Sequence, residues 1–129
     1  MSSAKTDANE YDVIANVFQP YIDGAVAGKG DDMRPAFHKD ATIFGYVGSD
    51  LFAGPIQQLF EWTDANGPSP ELNVQIVHVS RTDTAATARL ELDNWVGNRF
   101  TDLFTLLKVG GEWKIMNKVF HLHPTQLTK

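Results

Sequence analysis

The sequence predicts an α+β domain in which three helices come first and a curved antiparallel sheet follows. Two patterns carry that reading. Apolar residues recur at three- and four-residue steps up to about residue 66. Beyond it, four runs alternate apolar with polar residues between regularly spaced turn residues. Helices followed by a block of strands is the order of an α+β fold rather than of a wound parallel sheet.

Residues 1–6 read as a polar tail. Tyr11, Ile14, Phe18, Tyr21, Ile22, Ala25 and Val26 then form one stripe on a helix of about five turns. Asp7 and Glu10 ahead of it have capping-box spacing. Pro20 removes one helical hydrogen bond and should kink this helix; Gly28 and Gly30 end it. Asp32 caps a short second helix through Met33, Ala36 and Phe37, with Pro35 in its tolerant first turn. Residues 41–47 alternate as a strand, and Gly48-Ser49-Asp50 turns it into Leu51-Phe52. Gly54-Pro55 opens the third helix, because proline suits a first helical position. Ile56, Leu59, Phe60 and Thr63 form its inner face, with Trp62 beside it, and Asn66-Gly67 closes it. Past the rigid Pro68-Ser69-Pro70 connector, strands are expected at 72–81, 85–95, 99–109 and 112–121. They turn at Thr82-Asp83-Thr84, Val96-Gly97-Asn98 and Gly110-Gly111. The domain is therefore expected to span 7–123, with 124–129 as a C-terminal tail.

Length and composition limit what this domain can be. The 129 residues make about one domain, long enough to bury a real core without staples. The net charge of −5 comes with no basic stripe, so neither nucleic acid nor an anionic membrane is the expected partner. With no cysteine, disulfides, thiolate catalysis and cysteine-ligated metals are excluded. The apolar runs are too short for a membrane span, and MSSAKTDANE lacks the apolar core of a signal peptide. A cytoplasmic location is the expectation.

Strand alternation assigns the faces. A Gly110-Gly111 hairpin pairs Val109 with Glu112 and Leu106 with Ile115. Continued without interruption, it pairs Phe104 with Asn117, Asp102 with Val119 and Phe100 with His121. The inner face then carries Phe100, Asp102, Phe104, Leu106, Trp113, Ile115, Asn117, Val119 and His121. A bulged turn near Gly97 sets Leu92 against Asp102 and Leu90 against Phe104, matching apolar with apolar. Asn73, Gln75, Val77, Val79 and Asn94 join the inner face, while His78 faces outward. The outer face is expected to carry Trp95, Leu103, Leu107, Met116 and Phe120 between Lys114, Lys118 and Thr105. So much outward apolar area points to an interface, and a two-fold dimer is its simplest closure.

This order resembles the nuclear transport factor 2-like superfamily, a cystatin-like roll in which helices cover a bent sheet to make a cone. The carrying segments are FHKDAT (37–42), LFAGPIQQLFEW (51–62), LELDNWVGNRFTDLFTLLKVGGEWKI (90–115) and NKVFHLH (117–123). The likeness runs from about residue 8 to 123. It is closest to the bacterial branch labelled putative lumazine-binding, near the SnoaL-like group. The resemblance implies a pocket at the open end of the cone and a dimer through the outer sheet face. Isomerases, dehydratases, hydrolases, cyclases and plain binders share this fold, so function must be argued from the site.

Asp102 is the first candidate. A carboxylate among Phe100, Phe104 and Leu106 must be hydrogen-bonded, protonated or functional. Desolvation raises its pKa, the condition for a proton-transferring base. The competing reading is a structural carboxylate paired with Arg99 or His121. His121, diagonally across the ladder, could shuttle a proton or donate to a ligand, or be a partly exposed strand-end histidine. Asn117 and Asn94 would be neutral donors to a ligand oxygen, or partners of sheet-end backbone. Tyr46, Trp62 and Phe104 are candidate pocket walls, whereas Phe18, Phe37 and Phe60 read as plain core. His38 sits at a helix end and is assigned no chemistry. A metal triad of His121, His123 and Asp102 can be written, but His123 beside Pro124 at a fraying strand end argues against it. Neither metal nor cofactor is expected. The leading expectation is a binder of a small apolar or aromatic ligand over Asp102, Asn117 and His121. One alternative is a cofactor-independent isomerase, cyclase or dehydratase with Asp102 as base. The other is a protein-interaction module whose cone is filled.

Overall fold

The computed structural model of the chain describes residues 3–124, with side chains from residue 9 onward. The last five residues of the expected C-terminal tail, and residues 1–2, lie outside the described residues. Helices α1 (Ser3–Val17) and α2 (Gln19–Ala27) are two parts of the expected first helix, separated at Phe18. Pro20 thus acts as a break, lying in the first turn of α2 where its missing N–H costs nothing. The helix begins at Ser3, so Asp7 lies within it instead of capping it. Gly28 closes α2 in the left-handed conformation (φ 71°) that glycine adopts without strain.

The short helix α3 (Gly30–Met33) runs through a 3-10 turn into strand β1 (Phe37–Val47), and β2 (Asp50–Pro55) folds back on it. Helix α4 (Gln57–Asn66) follows, then β3 (Asn73–Thr82), β4 (Ala85–Trp95), β5 (Asn98–Val109) and β6 (Glu112–Leu122). The six strands form one sheet in the order β2-β1-β6-β5-β4-β3. Every neighbouring pair is antiparallel except β1 with β6, which is parallel. Expected and observed strands in the second half agree within about a residue at each end.

Helices cover one face of the sheet. Ile14, Phe18, Tyr21 and Ala25 from the α1–α2 stripe meet Leu90, Phe104, Leu106 and Ile115 in a common core. At one end, Glu10 of α1 accepts hydrogen bonds from Lys108 Nζ (2.6 Å) and Trp113 Nε1 (2.7 Å), fastening the helix to the β5–β6 hairpin.

Three bulges set these faces, and each overturns expected ones. Met116 has no partner on β5: Leu106 faces Ile115, but Thr105 already faces Asn117. An extra residue reverses parity. Asn117, Val119 and His121, expected inside, therefore turn outward, while Lys118 and Phe120, expected outside, are buried. On β4 an extra residue before Trp95 leaves Asn94 exposed, with φ 64°, and turns Trp95 into the core. On β3 the unpaired Val77 moves outward; Asn73 and Gln75 are exposed, whereas Val79 packs inward as expected. The β4–β5 ladder pairs Leu90 with Asp102 and Leu92 with Phe100, two residues from the expected register, and so with the same faces.

Candidate functional site

Three polar side chains meet inside the cone. Asp102 on β5 is fully buried, as alternation places it. Its partners are neither Arg99 nor His121. Tyr21 Oη, from α2, donates to Asp102 Oδ2. Lys118 Nζ, from β6, donates to Tyr21 Oη at 2.9 Å and lies 3.8 Å from Asp102 Oδ2. Asp102 Oδ1 has no hydrogen-bond partner among the described residues. The arrangement is a chain from amine to phenol to carboxylate.

Local sequence explains each position. Tyr21 belongs to the apolar stripe of α2, so its ring packs between Phe37, Phe104 and Trp95 while its hydroxyl reaches past them. Such a buried hydroxyl needs a partner. Lys118 points inward because of the bulge at Met116. Its ammonium sits 5.0, 5.1 and 5.4 Å from the ring centres of Tyr21, Trp95 and Phe120, where ring faces attract a cation. Gly45 faces Phe120 across β1–β6, and a Cβ there would lie 2.5 Å from the ring. Glycine is what lets the Phe120 ring lie flat over this strand.

Burial works on all three groups. It pushes the Asp102 carboxyl up from its usual range, opposed by Lys118 and by the Tyr21 hydrogen bond. It pushes the Lys118 amine down, opposed by Asp102. The Tyr21 hydroxyl is held well above its ordinary value by burial and by the neighbouring carboxylate. The amine and carboxyl are thereby drawn toward one another in proton affinity, with a hydroxyl bridging them. A hop along Lys118, Tyr21 and Asp102 converts an ion pair into a neutral pair without moving a heavy atom.

Lys118 is the member of the three that borders empty space. A small cavity of about 20 Å³, open to solvent on one side, is lined by Ile43, Val47, Phe52, Leu59, Trp62, Trp95, Phe100, Lys118 and Phe120. Its walls are aromatic rings in edge-to-face contact: Trp62 with Trp95 at 5.4 Å, Trp95 with Phe100 at 5.6 Å, Phe100 with Phe120 at 5.8 Å. Trp62 stands where sequence reasoning put it. Phe104 is instead sealed in the core against Phe18 and Tyr21.

The remaining candidates lie elsewhere. Tyr46 is 60% exposed on the outer face. Asn117 donates to Thr42 Oγ1 (2.9 Å) on that same face, and Asn94 is exposed at its bulge. His121 is exposed and stacks edge-on with His123, which pairs with Thr101 Oγ1 at 2.8 Å. Asp102 lies on the opposite side of the sheet, so the written metal triad does not assemble. Among the described residues no three histidine or carboxylate side chains converge as metal ligands. Of the expected outer face, Trp95 and Phe120 are buried in the cone, whereas Leu103 and Leu107 are exposed and Met116 half-buried. Sequence reasoning missed Lys118, and it read Tyr21 as core alone. The available signal was parity: Trp113 and Ile115 are odd-numbered and Phe120 is even, so burying all three requires a bulge between them.

A family described as "Putative lumazine-binding" matches residues 9–121. An NTF2-like protein of unknown function from Methylobacillus flagellatus is 48% identical, with a TM-score of 0.87 over 90% of this chain and 94% of that one. Another, from Shewanella baltica, is 43% identical, with a TM-score of 0.86 over 92% and 97%. Aldolase FrzH from a Cladobotryum species is 27% identical over 118 residues, covering 91% of this chain and 94% of that one. No helix among the described residues is long and apolar enough to cross a membrane.

Proposed function

Because this chain belongs to the putative lumazine-binding family and shares the NTF2-like fold, we propose that it binds a compact, mostly apolar ligand at the open end of the cone, polar end toward Lys118. The observation that carries this reading is an aromatic-walled cavity with a buried amine at its floor. At about 20 Å³ the cavity has room for about one water as it stands, so a ligand enters only as the Trp62 and Phe120 rings move apart, which favours a small ring compound over an extended one. A few polar groups on an apolar wall fix orientation, and here Lys118 supplies that role in place of Asn117 and His121. The test is a titration with benzyl alcohol, followed through the indole signals of Trp62 and Trp95. Saturable shifts that vanish in Gly45→Leu, where the added side chain drives Phe120 into the cavity, support the reading. Absence of any saturable shift in the unmodified protein overturns it.

A second reading is proton-transfer catalysis, favoured by the Lys118–Tyr21–Asp102 chain and by the aldolase name of one relative. In it Asp102 takes up a ligand proton through Tyr21 and Lys118 rather than by contact. Asp102→Asn then abolishes turnover and spares affinity. A two-fold dimer remains a proposal as well, its surface redrawn as Phe44, Leu103, Leu107 and Val119, four exposed side chains on the outer face.

A further inference from the structure

We propose that His121 and His123 chelate one divalent late first-row transition-metal ion on the outer face of the sheet, where β6 ends. The inference goes beyond the ligand reading and is independent of it, because the cone cavity lies on the opposite face. The metal triad written from the sequence fails at Asp102, not at its histidines. His121 and His123 stand two residues apart in extended chain, so their side chains leave the same face. The His123 N–H bonds to Arg99 O at 2.9 Å, which continues the ladder just past the end of β6. The two ring centres lie 4.7 Å apart. Two imidazoles bound to one ion at about 2.0–2.1 Å, at angles between square and tetrahedral, place their ring centres about 4.5–5.2 Å apart. The spacing a chelate needs is already present.

A hydrogen-bond chain settles which nitrogen of His123 is free. Thr101 Oγ1 donates to Glu91 Oε1 at 2.7 Å and lies 2.8 Å from His123 Nε2. A threonine hydroxyl has one proton to give. It goes to the Glu91 carboxylate, which the Thr101 bond and then Arg89 hold below 4.5, so that this group only accepts. His123 Nε2 is therefore the donor to Thr101, and in the neutral ring the lone pair is on Nδ1. Metal-binding histidines almost always give their other ring N–H to a carboxylate, a carbonyl or a water, which orients the ring and raises its basicity. Here Thr101 takes the place of that water and hands the contact on to Glu91. The chain is built into the sheet: Thr101 is buried, and Glu91 is held by Arg89 at 2.9 Å and Arg99 at 3.7 Å. His121 is exposed, and its side chain makes no hydrogen bond among the described residues. A groove of about 580 Å³ bordered by both histidines, Tyr46 and Asn98 leaves the ion's other positions to water or an anionic oxygen ligand. Imidazole nitrogen suits zinc, nickel and copper, with affinity highest for copper.

The experiment titrates the untagged full-length protein with zinc chloride at neutral pH, by calorimetry and by nitrogen-15 spectra of the histidine rings. One zinc per chain is expected, with the ion on His123 Nδ1 and the proton kept on Nε2. His121→Gln and His123→Gln should each weaken binding at least tenfold, whereas His38→Gln and His78→Gln should leave it unchanged. Thr101→Val keeps both ligands and removes the oxygen that orients one of them, so it should weaken binding by about 10–100-fold, and Thr101→Ser should restore it. Two strand-end histidines that take up zinc by chance would not respond to Thr101. Binding that does not saturate at one ion per chain, that survives either ligand replacement undiminished, or that is as tight in Thr101→Val overturns the proposal. So does an ion found on His123 Nε2.

Discussion

Removing one member of the Asp102–Lys118 pair should strand the other in a site without water, and a double-mutant cycle measures that directly. The two groups are 0% and 3% exposed and 3.8 Å apart. At an effective dielectric of 20, their attraction is about 4 kcal/mol. Deleting one partner of a buried pair typically costs about 3–5 kcal/mol, and the survivor can shed its charge, which keeps the cost near the lower end. Asp102→Asn and Lys118→Met are therefore each expected to destabilise by about 3 kcal/mol, a fall in melting temperature of roughly 10–15 °C. The double variant should lie within about 1 kcal/mol of either single one, because nothing charged is left to strand. The two singles should also respond oppositely to pH. In Lys118→Met, Asp102 has a raised folded-state pKa, so its stabilising contribution is present below 3.8 and lost as pH rises through the folded value. In Asp102→Asn, Lys118 has a lowered folded-state pKa, so stability grows as pH rises from that value toward 10.5. Urea unfolding followed by tryptophan fluorescence reads all four proteins. Additivity of the two substitutions within about 0.5 kcal/mol would falsify the coupling, and parallel pH slopes would contradict the burial argument.

Other parts of the molecule offer independent checks. Gly45→Ala places a Cβ 2.5 Å from the Phe120 ring and should destabilise by about 1–3 kcal/mol through overpacking, measured as a shifted urea midpoint with weaker benzyl alcohol binding. Val96 and Gly97 form a two-residue hairpin turn with φ 43° and 84°, a geometry that suits Asn-Gly and strains a β-branched residue. Val96→Asn is expected to raise stability by about 1 kcal/mol, and calorimetry showing a loss would mean that its partial burial outweighs the strain. The hydrogen bonds from Lys108 and Trp113 hold the Glu10 carboxyl below 4.5. The stability it contributes is present above that value and lost as pH falls through the folded pKa, so Glu10→Gln should flatten the acid side of the unfolding curve. Leu103→Lys should shift sedimentation toward monomer if the outer face joins two copies; an unchanged mass would count against that surface.

The fold was legible because its determinants are local. The Tyr11–Val26 stripe, the Gly110-Gly111 turn and the Asn66-Gly67 helix end each act through near neighbours, and each element appears within a few residues of its expected place. Asp102 was legible for the same reason: it lies on an unbroken stretch of β5 between Phe100 and Phe104, where period two holds. Lys118, Phe120, Trp95 and Asn117 were not, because each lies beyond a bulge. Periodicity propagates a face assignment along a strand only until an unpaired residue intervenes, and thereafter every side chain is assigned to the wrong side. Tyr21 was illegible in another way. A tyrosine on an apolar stripe looks like core, and its hydroxyl gains meaning only from the partner brought to it by residues 81 and 97 positions away.

The bulge that hid the site also builds it. At the level of Met116 the β5–β6 register shifts, and the β1–β6 register shifts between Phe37 and Thr42 across the same part of β6. Bulges increase local twist and bend the strand that carries them. Two such irregularities side by side bend the sheet, which is how a flat array of strands comes to wrap around helices as a cone. The same extra residue turns Lys118 inward at the bend, where Tyr21 from α2 and Asp102 from β5 can meet it. Shape and chemistry therefore have one origin here. Below the bulge, Trp113 and Ile115 pack a closed apolar end; above it, Lys118 and Phe120 form one side of an open one. A strand without the bulge, keeping the same sequence order, would present Asn117, Val119 and His121 to the interior and leave the lysine in water. Its buried carboxylate would then have no cation, and its cavity no amine.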